Sequence, residues 1–117
     1  LAFAASLLAL TVVSRAQDAE RETHADDASK PRVSFEDKGA DHVLRQYQLG
    51  CLSQLSYLLV SGGDAAVVDP TRDVDHYVDD AKALGAAVKF VLLTHPHADF
   101  VAGHTELARV GAQVLIA

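Results

Sequence analysis

The sequence holds one cysteine, Cys51, and no methionine or tryptophan in 117 residues. A single cysteine excludes an internal disulfide and any four-cysteine zinc site, and a lone thiol of this kind is expected as a small buried apolar group. Basic residues are also few, with ten Lys and Arg against sixteen Asp and Glu and a formal charge of −6. That balance excludes nucleic acid as a partner, because phosphate binding needs a basic surface. Apolar runs are short of the roughly 20 residues that a spanning helix requires, so no permanent membrane span is expected. The missing initiator methionine, and the lack of a basic stretch before Leu1, give the expectation of a fragment whose start is cut off.

What is present begins with thirteen uncharged residues, Leu1 to Val13, followed by Ser14-Arg15-Ala16-Gln17. An apolar core followed by small residues is the pattern of a signal peptide, so residues 1–16 are expected to be removed near Ala16 and the protein exported, secreted or periplasmic. Cleavage takes away one base, Arg15, and no acid, moving the formal charge from −6 to −7. Residues 17–40, with Asp18, Glu20, Glu22, Asp26 and Asp27, have too little apolar surface to order themselves and are expected as a flexible acidic leader. Residues 41–117 form the expected folded domain, a partial one, since Gln113 to Ala117 reads as a strand entered without a closing turn.

Within that domain the apolar pattern switches between two periods. Val43, Arg45 and Tyr47 alternate with Leu44, Gln46 and Gln48 as a strand, and two further apolar runs flank Gly62-Gly63-Asp64 as a hairpin. Asp69-Pro70 ends the second of these, since proline has no donor for the ladder. Val74, Tyr77, Val78, Ala81 and Leu84 then fall on one helical face, with Asp73 as the expected N-cap and Gly85 as the stop. Val88 to Thr94 reads as a buried strand, His104 to Val110 as a helix closed by Gly111, and the final segment as the start of another strand. Alternating strands and helices of this kind make an α/β fold with its ligand loop at a strand's carboxyl end.

The chemistry sits in that loop. Thr94-His95-Pro96-His97-Ala98-Asp99 places two imidazoles and a carboxylate at alternate positions directly after a strand, with Pro96 restricting the backbone between the rings. Imidazole and carboxylate are ligands for zinc and iron, so His95, His97 and Asp99 are the candidate metal ligands. His104 at a helix start is expected as a polar cap near solvent, and His24, His42 and His76 as surface residues.

The run Thr94 to Asp99, followed by Ala102-Gly103-His104, resembles the His-x-His-x-Asp-His metal loop of the metallo-β-lactamase superfamily. Ser56-Tyr57-Leu58-Leu59 and Ala66-Val67-Val68-Asp69-Pro70 are similar to the strands that precede that loop. Cys51 to Tyr57 and Asp69 to Asp75 look most like the persulfide dioxygenase branch, which includes members fused to rhodanese domains. The resemblance implies the N-terminal half of an αββα sandwich, with a rhodanese domain downstream as one arrangement the branch allows. It implies that His95 binds metal and that His97 binds it in the hydrolases or sits beside it in the dioxygenases. Asp99 would bind a second metal or orient water at a single one, a catalytic role, and Asp69 would support the loop. The family's remaining histidine and aspartate ligands would lie after Ala117.

Phe100 stands where the family motif has its last histidine, and phenylalanine cannot coordinate a metal. That favours one metal over two. The leading expectation is therefore a mononuclear iron persulfide dioxygenase, oxidising a small thiol-derived substrate such as glutathione persulfide to sulfite, and inactive in this fragment alone. Two alternatives stand beside it: a zinc-dependent thioester hydrolase of glyoxalase II type, and an exported binding module that has kept the fold without catalysis.

Overall fold

Among the described residues, six strands join in one sheet, in the order in which the chain makes them. The computed structural model describes residues 30–50, 53–96 and 102–117. Strands β1 (Arg32–Lys38), β2 (His42–Leu49), β3 (Gln54–Ser61) and β4 (Asp64–Val68) run antiparallel to one another in succession. Helix α1 (Asp75–Ala83) then crosses to β5 (Ala87–Leu93), and α2 (His104–Arg109) to β6 (Gln113–Ile116), so both of these strands are parallel to the ones before them. A parallel pair needs such a crossover, whereas the Gly62-Gly63 turn suffices for the antiparallel β3–β4 hairpin.

The period-2 pattern decides which side of the sheet is buried. Tyr47, Leu58, Val67 and Val91 project to one face and meet Tyr77, Ala81 and Leu107 from the helices; Leu58, Val67, Val91, Tyr77 and Leu107 are fully excluded from solvent. Each such side chain contributes roughly 1.5–3 kcal/mol relative to exposure. Both helices end on a glycine in the left-handed region, Gly85 at φ 75° and Gly111 at φ 99°. The next amide folds back in each case, from Ala86 to the Ala81 carbonyl (2.8 Å) and from Ala112 to that of Leu107 (3.1 Å), satisfying carbonyls the helix leaves open.

The opposite face carries Phe35, Leu55, Leu59, Phe90 and Leu115, each more than a third exposed. A sheet with helices on one side and a bare apolar side is one half of an αββα sandwich, as the sequence led us to expect. The leader does not extend to residue 40, however, because residues 32–38 form β1. All seven residues are exposed, which is why composition hides the strand. What holds it is its ladder to β2 and polar pairs across it, Arg45 with Glu36 and Gln46 Nε2 with Ser34 Oγ at 3.0 Å. Residues 1–29, with the expected signal peptide and the rest of the leader, lie outside the described residues, as does Cys51. The N-cap also shifts by one: Val74 is the cap, while the Asp73 carboxylate still accepts the Asp75 amide at 3.4 Å.

Candidate metal centre

Parallel pairing of β4 and β5 brings their carboxyl ends side by side, and the Asp69 amide donates to the Leu92 carbonyl at 2.9 Å. Asp69 itself takes φ 48°, a left-handed conformation that Asp tolerates better than most residues. That bend aims its carboxylate at the next strand end. Oδ1 accepts the Thr94 amide (2.9 Å) and Oδ2 accepts the Thr94 hydroxyl (2.6 Å).

The direction of the next bond follows from this. A carboxylate only accepts, so the single Thr94 hydroxyl proton is committed to Asp69, and its oxygen can only receive from His95 Nδ1, 2.7 Å away. Nδ1 therefore carries the ring proton and Nε2 the lone pair. This is how outer partners fix the tautomer of a ligating histidine. Exposed at the strand end, His95 is presented as an Nε2 donor.

The far side of the loop is anchored too. The Gly103 amide donates to the Pro70 carbonyl (3.2 Å), and the chain passes so close to the 71–74 segment that a Cβ on Gly103 would collide with the Thr71 carbonyl oxygen and Val74 Cγ1. Glycine is required there by contact. Behind the loop, the Tyr77 hydroxyl lies 2.5 Å from Ser56 Oγ and 3.2 Å from Thr71 Oγ1, and accepts the Thr71 amide at 3.1 Å. Thr71 Oγ1 donates to the Asp73 carbonyl at 3.0 Å, and Gln54 Nε2 to the Asp69 carbonyl at 3.3 Å. The turn after β4 is thus tied to α1 and β3 by buried polar contacts.

Of the three predicted ligands, only His95 is described; His97, Asp99 and also Phe100 lie outside the described residues. Among the described residues no three His, Cys, Asp or Glu side chains converge as a metal site. Asp69 supports the loop, as expected. His42 is a surface residue, its imidazole held above the ordinary value by Asp41 and Asp37. His76 is not: it packs 3.7 Å from the Tyr77 ring and 5.1 Å from that of Tyr47, and burial pushes its imidazole down. Its place on the polar side of the helical pattern concealed this, because the two tyrosines reach around it. His104 has Nδ1 buried without a hydrogen-bond partner among the described residues, rather than capping into solvent. Sequence reasoning missed Thr94, Thr71 and Tyr77 as supports, since a hydroxyl's role depends on neighbours distant in sequence.

The family model for the metallo-beta-lactamase superfamily matches residues 49–117. A hydroxyacylglutathione hydrolase of Anaeromyxobacter dehalogenans is 49% identical over 61 residues, 51% of this chain and 24% of the relative. One from Acidiphilium cryptum is 40% identical over 60 residues, 50% of this chain and 24% of that one. The crystal structure of a metallo-beta-lactamase from Staphylococcus aureus superposes with a TM-score of 0.64 at 30% identity, over 68% of this chain and 25% of its own. The chain thus spans about a quarter of the length of the relatives it matches.

Proposed function

Because the chain belongs to the metallo-β-lactamase superfamily, we propose that it carries the first metal-binding loop of a metal-dependent hydrolase cleaving glutathione thioesters. The observation that carries this reading is the 49% identity, over 61 residues, to a protein named hydroxyacylglutathione hydrolase. We assign the metal to His95, His97 and Asp99, with Asp99 also orienting the reacting water. The donor set fits a divalent zinc or iron: imidazole and carboxylate suit both, and the Asp69–Thr94 pair already holds His95 with Nε2 as the donor. Bound there, zinc would supply a water activated near neutral pH, and iron would supply open positions for oxygen and a sulfur ligand.

This chain's own residues do the positioning. Asp69 and Thr94 fix the ring plane of His95, and Gly103 against Thr71 fixes where the chain leaves the loop. Export after cleavage near Ala16 stays part of the proposal, on the apolar run at residues 1–13.

One observation favours a second reading. Phe100, in place of the motif's last histidine, removes a ligand of a second metal and suits a mononuclear iron persulfide dioxygenase acting on glutathione persulfide. Metal content of the full-length protein, purified without added metal and compared with His95→Ala, separates the two. Zinc lost in the variant, with cleavage of a hydroxyacylglutathione, is the expected result. One iron per chain with oxygen uptake on persulfide would move the assignment to the dioxygenase, and no metal would leave the non-catalytic module.

A further inference from the structure

We propose that the groove beside the metal loop seats the amino-acid end of the substrate, with Arg72 taking its α-carboxylate and Glu106 its α-ammonium. The proposal rests on the glutathione reading above and names the part of that peptide which the groove recognises. The groove has a volume of about 400 Å³ and is lined by Pro31, Leu49, Thr71, Arg72, Asp73 and Glu106. All six stand at one end of the sheet: Pro31 precedes β1, Leu49 ends β2, residues 71–73 follow β4, and Glu106 is in the first turn of α2. This is the end at which Asp69 and Thr94 hold His95. Thr71 is two residues from Asp69, hence no more than about 7 Å along the chain, and an extended glutathione reaches roughly 10 Å. A peptide whose sulfur is at the metal loop can therefore place its far end here.

The polar groups of the groove are unmatched in a complementary way. Among the described residues no carboxylate pairs with Arg72, and its neighbour Asp73 is engaged by the Asp75 amide. Glu106 has its Oε2 buried with no hydrogen-bond partner among the described residues, while Oε1 is 3.9 Å from Arg109. A guanidinium open to a carboxylate and a carboxylate oxygen lacking a donor are the two halves of a zwitterion's complement. A simple anion would meet repulsion from Asp73 and Glu106, and an apolar ligand would leave the buried Glu106 oxygen unpaired. The γ-glutamyl end of a glutathione peptide, with carboxylate and ammonium on one carbon, answers both, and Pro31 and Leu49 offer apolar wall to its methylenes.

The test is calorimetric binding of S-methylglutathione, which has no thioester to cleave, to the full-length protein, beside S-methylcysteinylglycine, which lacks the γ-glutamyl unit. Arg72→Met is expected to weaken S-methylglutathione about ten- to hundredfold, the scale of one charge-assisted contact, and to leave the shorter ligand unchanged. Arg72→Lys should fall between, and Glu106→Gln should weaken only the ligand carrying the γ-glutamyl ammonium, leaving the dipeptide, whose ammonium is on the cysteinyl residue, unchanged. Equal weakening of both ligands, no change in either, or no binding of S-methylglutathione by the wild type would overturn the proposal. Metal content and turnover in the same preparation report separately on the functional reading, so an active enzyme with an Arg72-independent affinity rejects the groove and keeps the enzyme.

Discussion

The Tyr77 hydroxyl connects α1, β3 and the turn after β4 at a point without solvent, and its removal has a defined cost. Tyr77→Phe keeps the ring but leaves Ser56 Oγ and the Thr71 amide without this partner. A destabilisation of about 1–3 kcal/mol is expected, read as a lower urea midpoint at unchanged slope. His76 gives a second test, through pH. Burial lowers its folded value below the ordinary 6.5, against the opposing pull of Asp73, Asp80 and Asp75. The neutral ring is thus the one the fold accepts: its contribution is fully present above about pH 6.5 and is lost as pH falls through the lowered folded value. His76→Phe should flatten the decline in stability between pH 7.5 and 5; parallel curves for variant and wild type would reject this. At this scale the sequence was only partly legible. The spacing of His95, His97 and Asp99 marks them in the sequence as candidates, whereas the contacts of Thr94 and Tyr77 come from partners up to 25 residues away, such as Asp69 and Ser56.

Among the elements, α2 depends on one missing methyl group. Gly103→Ala drives a Cβ into the Thr71 carbonyl and Val74, and backbone cannot move aside as a flexible side chain can. The expected loss is about 1–3 kcal/mol, the cost typical of overpacking, together with lower metal occupancy, since α2 carries the exit of the metal loop; thermal unfolding and metal analysis would register both. The helices, the hairpin and β5 could be read from their periods, because burial on one side writes a period of 3.6 or 2 into the residues. β1 could not. Its residues face water throughout, so its stability comes from backbone pairing that leaves no apolar signature, and the charged Glu36, Asp37 and Lys38 read as more leader.

For the molecule as a whole, the bare side of the sheet sets the expectation. In the complete αββα sandwich a second layer covers Leu59 and Phe90, so Leu59→Asp in the full-length protein should cost about 2–4 kcal/mol, as burial of an unpaired charge or polar group does. A change within about 0.5 kcal/mol, typical of a surface site, would show that this face meets water there. The fold class was legible because the apolar strands and the order of elements carry it, while the groove of Arg72 and Glu106 was not, being assembled from four separate stretches of chain. The sequential strand order has a consequence for synthesis. Each new strand, as it leaves the ribosome, finds its neighbour already formed and never has to wait for a later one. The sheet can therefore grow in one direction, and Asp69 is in place before Thr94 and His95 emerge: the histidine is born next to the clamp that orients it.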